Sequence, residues 1–325
     1  MNWFEKLKKF FKNNAKVKRL TEATDNARVI SLIKKEKDID RVQSMLSNYV
    51  SVLNSHDITD IIAKMPLKKR VQLLVKYKEH IPSYELCTFI VKKLDTNARL
   101  DALKELQHEL DLYEIYKILE NISPDRRSDA LEIILDRVDS YEISEIIQEY
   151  IPFSERKEAL FSHEDLLDSI SKAAVITKLP IADMLESLEK YKTELTKTNI
   201  MEIIEKIPSA KLYDALCMIA DRLSNVQIAN LIMYNIPESQ RRKTLLENAE
   251  KLESALISDI IKYSLSYEEQ KKVIIELKDK LDKKHIAEIV QYYLKDDKDV
   301  IEELKDKMYE EDIQYFENKI VGWKR

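Results

Sequence analysis

The chain has 325 residues, 35% of them charged and 44% apolar, and a formal net charge of −5 at pH 7. Its one glycine is Gly322, so a P-loop, a G-x-G-x-x-G turn and a G-x-S-x-G elbow are all excluded, because each needs glycine where the backbone turns left-handed or nears its ligand. No apolar run reaches the length of a bilayer span and no signal-peptide pattern is present, and two cysteines 130 residues apart, Cys87 and Cys217, read as buried free thiols of a reducing cytoplasm.

In chain order, residues 1–20 come first and differ from the rest. They carry seven Lys/Arg and one Glu, a net of +6, whereas the remainder carries 47 basic and 58 acidic residues, a net of −11. On a helical wheel Trp3, Phe4, Leu7, Phe10 and Phe11 share an arc of about 120°, with Lys6, Lys8, Lys9, Lys12 and Lys16 outside it. A basic helix with a bulky aromatic face is the pattern of an interfacial anchor on an anionic membrane. The same face could cover the end of a repeat array or dock on a partner protein.

From residue 21 to about residue 320 one pattern repeats. Pro124, Pro152, Pro180, Pro208 and Pro237 are separated by 28, 28, 28 and 29 residues, and Pro66 lies 58 before Pro124; only Pro82 is out of phase. Proline breaks a helix interior but fits its first turn, where the missing N–H would be unpaired anyway. Each in-phase proline therefore marks a junction between a first helix and a second. Ahead of each junction an apolar residue is followed, after two spacers, by an apolar pair: Ile58, Ile61 and Ile62; Leu86, Phe89 and Ile90; Ile115, Ile118 and Leu119; and so on to Ile286, Ile289 and Val290. That spacing is one face of an α-helix. In one segment Lys172 takes the first slot, ahead of Val175 and Ile176.

Behind each junction comes another apolar pair, often preceded by a basic residue. Arg70, Arg99, Arg127, Arg156, Arg242 and Lys271 fill this place, and Met184 and Leu212 interrupt the series. The chain thus reads as about ten two-helix units, each helix about 11–13 residues long. A hairpin of that size cannot bury its apolar faces alone, but stacked neighbours can. The predicted fold is all-α, a superhelical solenoid over residues 21–320, flanked by the helix of residues 1–20 and a short tail of residues 321–325 that holds Trp323.

The pattern resembles the helical-hairpin solenoid class, which includes tetratricopeptide and HEAT-like repeats. The resemblance covers nearly the whole chain at the level of class. The period is shorter than in either family and the Trp-, Gly- and Tyr-bearing tetratricopeptide signature is absent, so no functional residue carries over.

Catalytic and metal chemistry find no constellation. His56, His80, His108, His163 and His285 form no i,i+3 or i,i+4 pair and no H-E-x-x-H. The acidic residues Asp296, Asp297 and Asp299 read as a solvated turn, and His163–Asp165 lacks a nucleophile. No enzyme and no cofactor are expected. Two tyrosine ladders stand out instead: Tyr84, Tyr113 and Tyr141 in one phase, and Tyr234, Tyr263 and Tyr292 in another. They fit packing between neighbouring units or contact with a partner in a groove. Arg99 and Arg127 fit the edge of such a groove or ion pairs inside the repeat. The expectation is a non-enzymatic, cytoplasmic scaffold or adaptor that binds a peptide, helix or protein, peripheral at a membrane through residues 1–20. The alternative is a nucleic-acid-binding repeat protein, which the net −11 of the array disfavours.

Overall fold

The computed structural model describes residues 23–295 and 297–322. Among these, 21 α-helices and no strand occur. The chain divides into two compact units, Met1–Leu166 and Leu167–Arg325. The division falls just ahead of Lys172 and Met184, where the repeat pattern lapses.

The first unit holds α1 (Ala23–Lys35), α2 (Ile39–Tyr49), α3 (Ser55–Ala63), α4 (Leu67–Tyr77), α5 (Ser83–Lys93), α6 (Thr96–Leu106), α7 (Leu112–Asn121), α8 (Arg127–Ile134), α9 (Ser140–Glu149) and α10 (Arg156–Ser162). Sequence neighbours pack together in α1 with α2, α2 with α3, α3 with α4, α5 with α6, α6 with α7 and α9 with α10, and the odd-numbered helices α1, α3, α5 and α7 form one row while the even-numbered α4, α6 and α8 form another. The second unit holds α11 (Ser169–Ile176), α12 (Ile181–Tyr191), α13 (Lys197–Ile204), α14 (Ser209–Ile219), α15 (Asn225–Asn230), α16 (Glu238–Asn248), α17 (Ser254–Ser264), α18 (Tyr267–Glu276), α19 (Lys283–Ile289), α20 (Lys298–Leu304) and α21 (Glu310–Gly322). Here α11 packs on α13, α15 on α17 and α17 on α19, while α12 meets α14, α16 meets α18 and α18 meets α20.

The apolar triplets explain these rows. Ile58, Ile61, Ile62, Ile115, Ile118, Leu119, Ile257, Ile260 and Ile261 are all fully buried on odd helices. The pairs of the even helices, such as Leu73 with Leu74 and Ala130 with Leu131, are buried opposite them. Each buried Ile or Leu contributes about 1.5–3 kcal/mol relative to exposure.

Helix starts follow the local chemistry. Asp111 with Glu114, Asp139 with Glu142, Thr196 with Asn199, Ser224 with Gln227 and Ser266 with Glu269 form reciprocal capping boxes at odd and even helices alike. Pro66, Pro180, Pro208 and Pro237 stand one residue earlier than the first turn, at the N-cap itself, with extended backbone. Pro82 caps an odd helix, α5, and so falls outside the phase of the others.

Helix ends have a different problem. No described residue takes a positive φ, so the left-handed C-terminal cap, for which glycine is the usual residue, is not used. Several even helices tighten instead into a 3₁₀ turn, as at Lys78–His80, Gln107–Glu109 and Leu135–Arg137. The odd helices α15 and α19 loosen into π-helical turns, Leu231–Asn235 and Val290–Leu294.

Two expectations change. Cys87 is buried, and burial pushes its thiol up to about 11, but Cys217 is exposed. Its position on α14 lies beside the buried Leu216 and faces outward. The turn before α20 is not simply solvated: Asp297 caps Val300 and pairs with Lys271 at 2.7 Å, with its side chain 10% exposed.

Candidate interaction surfaces

The repeated arginine solves the helix-end problem. Arg70 donates from Nε to Met65 O (2.9 Å) and from Nη1 to Lys93 O (2.5 Å). These carbonyls end α3 and α5, so one side chain on α4 ties two successive odd helices together. Arg127 repeats this on α8, with Ile122 O at 3.2 Å, Glu120 O at 3.1 Å and Tyr150 O at 3.0 Å. Arg99 reaches Ile90 O, Val91 O and Asn121 O, and Arg156 Nε reaches Ile151 O at 3.2 Å. The planar fork of arginine suits this task, since its donors splay toward carbonyls on two helices at once.

Arg99 and Arg127 are therefore half-buried clamps whose donors are directed at backbone carbonyls within the first unit. They do not form a free basic stripe, because their guanidinium donors are taken up by helix-end carbonyls.

The register of the later clamps also differs from the sequence reading. Arg241, not Arg242, donates to Ile236 O (3.0 Å) and Ser264 O (3.1 Å). Gln270, not Lys271, donates to Ile261 O and Lys262 O. The buried pairs that follow are Thr244 with Leu245 and Val273 with Ile274. Thr244 hides its polarity by donating to Gln240 O, so an apolar-pair search slides one residue on, to Leu245 and Leu246. Arg242 instead pairs with Glu276 and Lys271 with Asp297.

Met184 and Leu212, at the clamp position of α12 and α14, are buried. Their neighbourhood uses Lys172, whose ammonium pairs with Glu194 and lies 5.0 Å from the Tyr191 ring centre. A buried, paired cation thus stands where the other odd helices carry an apolar residue.

The tyrosine ladders lie open. Tyr84, Tyr113 and Tyr141 are 62%, 69% and 63% exposed. Each is the second residue of its helix, α5, α7 and α9, so together they mark the N-terminal edge of the odd row. In the second unit Tyr234, Tyr263 and Tyr292 are 75%, 69% and 70% exposed. They sit at the opposite, C-terminal edge of α15, α17 and α19, two of them inside the π-helical turns. Packing between hairpins does not bury either ladder. The residues that share the N-terminal register in the second unit, Ile170 on α11 and Val226 on α15, are exposed as well. Sequence reasoning passed over both, although they continue the phase of Tyr141.

The surroundings of the first ladder are acidic. Asp111 and Asp139 are the N-caps of α7 and α9, where a carboxylate complements the N-terminal dipole, and Glu79, Glu109 and Asp136 lie in the 3₁₀ turns that end the preceding even helices. Lys78 is held by Glu109 at 2.5 Å, and Arg137 is turned to the carbonyls of Gln107 and Leu110. Lys117 lies 5.3 Å from the Tyr113 ring centre. Hydrogen bonds to Glu85 and Glu145 raise the phenols of Tyr84 and Tyr141 above the ordinary tyrosine value.

Between α3 and α5 runs a groove of about 320 Å³, lined by His56, Asp60, Tyr84, Glu85, Phe89 and Lys92 among others. A wider, open groove of about 660 Å³ lies between α4 and α6, with Val71, Asp101 and Lys104 on its walls. In the narrower groove Glu85 Oε1 accepts from Ser55 Oγ and Tyr84 Oη, while Oε2 is shielded from solvent without a hydrogen-bond partner.

Among the described residues no group of three or more His, Cys, Asp or Glu side chains is placed to hold a metal ion, and no helix is long and apolar enough to cross a membrane. Trp3, Phe4, Lys6, Leu7, Lys8, Lys9, Phe10, Phe11, Lys12 and Trp323 lie outside the described residues. Architecture defines the class: an all-α protein of paired helices packed on their neighbours, compatible with a helical repeat. No family model, no curated protein and no solved structure matches the chain.

Proposed function

We propose that this chain is a non-enzymatic interaction scaffold, in which the hairpins of each unit continue as a superhelical stack and the tyrosine edges receive a peptide, helix or protein. One observation carries the reading: exposed tyrosines recur at a single helix position in three successive hairpins of each unit. An isolated exposed ring needs no explanation, but a row of rings spaced by one helix diameter offers large, rigid contact area at small entropic cost. The clamps support the same reading for the second unit, where Arg241 and Gln270 hold the C-terminal ends of α15 and α17 on which Tyr234 and Tyr263 stand, so those rings are held on a preorganised edge. In the first unit the clamps hold the opposite, C-terminal ends of the odd helices.

Site-specific photo-crosslinking tests it. With p-benzoylphenylalanine replacing Tyr84, Tyr113, Tyr263 or Tyr292 in cells, a common protein partner should be linked from at least one ladder and not from the exposed control positions Glu132 or Lys211, which line neither groove. The identified partner should then lose at least tenfold in affinity for a purified variant with that ladder changed to alanine. Equal linkage from ladder and control positions, or unchanged affinity, would overturn the reading.

A further inference from the structure

Building on the reading of the tyrosine edges as docking surfaces, we propose that the first unit's edge is the seat of the chain's own basic aromatic segment, residues 1–22. Charge selects this class of occupant. At or beside that edge Glu79 and Asp136 are exposed in the 3₁₀ turns before α5 and α9, Asp136 facing His108 at 3.6 Å, and Asp111 and Asp139 cap α7 and α9. Of its cations, Lys78 and Arg137 are engaged within the fold and Lys117 lies over the Tyr113 ring, which leaves carboxylates in excess. The sequence of residues 1–20 carries a net +6, and Trp3, Phe4, Leu7, Phe10 and Phe11 recur at the spacing of one arc of a helical wheel. Lysines complement the carboxylates, and the aromatic face complements the phenol row.

The groove between α3 and α5 adds a specific demand. Glu85 Oε2 is shielded there without a donor, next to the Phe89 ring and exposed Tyr84. A carboxylate oxygen left so costs stability until a donor reaches it. A lysine ammonium beside an aromatic side chain meets both needs, and the sequence of residues 1–20 offers that pair at i,i+4 spacing in Phe4 with Lys8 and Lys6 with Phe10.

Topology brings the segment to the correct edge. Lys64 Nζ donates to Lys34 O at 2.9 Å, joining the C-terminal ends of α3 and α1. Ser55 Oγ donates to Glu85 at 2.9 Å, joining the N-terminal ends of α3 and α5. The odd helices of this row therefore run the same way, and the chain enters α1 at the N-terminal edge where the tyrosines stand. Helix neighbours lie about 8–10 Å apart, which puts α5 ~20 Å and α9 ~40 Å from α1. A 22-residue segment spans ~33 Å as a helix and ~70 Å fully extended. Tyr84 on α5 is within reach of the segment as a helix, and Tyr141 on α9 is within reach once part of the segment is extended. Such a seat makes the segment an internal competitor for any basic aromatic partner of the same edge.

The experiment uses the purified full-length chain with p-benzoylphenylalanine replacing Tyr84, Tyr113 or Tyr141. Irradiation should link these positions to peptides from residues 1–22, with the product at monomer size. Linkage should fall at least fivefold in the Lys6→Glu/Lys8→Glu/Lys9→Glu/Lys12→Glu variant. In the Tyr84→Ala/Tyr113→Ala/Tyr141→Ala variant, trypsin should cut within residues 6–19 several-fold faster. Linkage only between two copies, or none together with unchanged trypsin rates, overturns the proposal. A foreign partner still captured at Tyr84 in cells would then leave the scaffold reading standing, whereas loss of both would end both.

Discussion

The two units are built from the same hairpin but hold it together differently. In the first, arginine occupies the clamp position on four consecutive even helices, at Arg70, Arg99, Arg127 and Arg156. In the second the same position reads Met184, Leu212, Arg241 and Gln270. The first unit sets its tyrosines on the N-terminal edge of the odd row, the second on the C-terminal edge. The difference teaches that the hairpin is fixed by its apolar triplets, which never lapse beyond Lys172, while the helix ends admit more than one solution. Where the clamp is kept, carbonyls without a glycine cap are paired through a neighbour's guanidinium. Where it is dropped, an apolar side chain fills the space, and the buried Lys172 pairs with the exposed Glu194.

Removing a clamp from the first unit should have the largest effect on that contrast. Arg127→Met copies the residue that the second unit uses at Met184, yet leaves Glu120 O, Ile122 O and Tyr150 O without their donor. Hydrogen bonds to charged groups contribute about 1.5–3 kcal/mol, and an orphaned carbonyl adds its own cost. We expect the first unit to lose about 3 kcal/mol, read by chemical denaturation, with faster amide exchange at the ends of α7 and α9. A loss below about 1 kcal/mol would mean that methionine suffices in either unit and that the clamps are incidental.

The second unit tests the register. Arg241→Met should cost about 2 kcal/mol, because two helix-end carbonyls lose a charged donor. Arg242→Met, one residue on, should cost about 0–1 kcal/mol, because it breaks a partly exposed ion pair with Glu276. Reversed magnitudes would restore the register suggested by the Leu245–Leu246 pair.

How far the sequence could be read follows from these residues. The triplets, the even-helix pairs and the proline junctions were legible because periodicity records burial directly. The clamps were only half legible. Their spacing was visible, but a guanidinium bound to carbonyls and one bound to carboxylates leave the same trace, since backbone acceptors carry no sequence signal. The slip at Arg241 has a further cause: Thr244 is buried as an apolar residue would be, yet reads as polar. The openness of the tyrosines could not be read either, since a ring at a helix edge fits both packing and display. Ile170 and Val226 were not legible as part of the ladder because they share the helix position of the tyrosines but not their residue type.

Asp297 offers a smaller, pH-dependent effect confined to the second unit. Burial pushes its carboxyl up, but the Lys271 ammonium and the Val300 N–H together hold it below the ordinary aspartate value. A group with a depressed folded pKa contributes stability that is present above its unfolded pKa, near 3.9, and is lost as pH falls through the folded value. Asp297→Ala should therefore cost about 1 kcal/mol at neutral pH, as the loss of a helix N-cap does. The gap between variant and parent should close as pH is lowered below 3.9. A pH-independent gap would assign the cost to packing and not to the carboxylate.

The smallest expected effect bears on function. Alanine at Tyr84, Tyr113 and Tyr141, or at Tyr234, Tyr263 and Tyr292, removes rings that are more than 60% exposed. Surface substitutions away from caps and cores stay within about ±0.5 kcal/mol each. The first ladder should behave so, because its rings meet Glu85, Glu145 and Lys117 only at the surface. The second should differ slightly at Tyr263, which meets Tyr293 edge-on at 6.5 Å, a contact of about 0.5–1.5 kcal/mol. If denaturation midpoints follow that order, stability does not account for the rings of the first unit, and display is what remains to explain three tyrosines in register. A loss of 2 kcal/mol or more from the first triple variant, far outside the surface range, would instead make its ladder part of the fold and remove the argument that it waits for a partner.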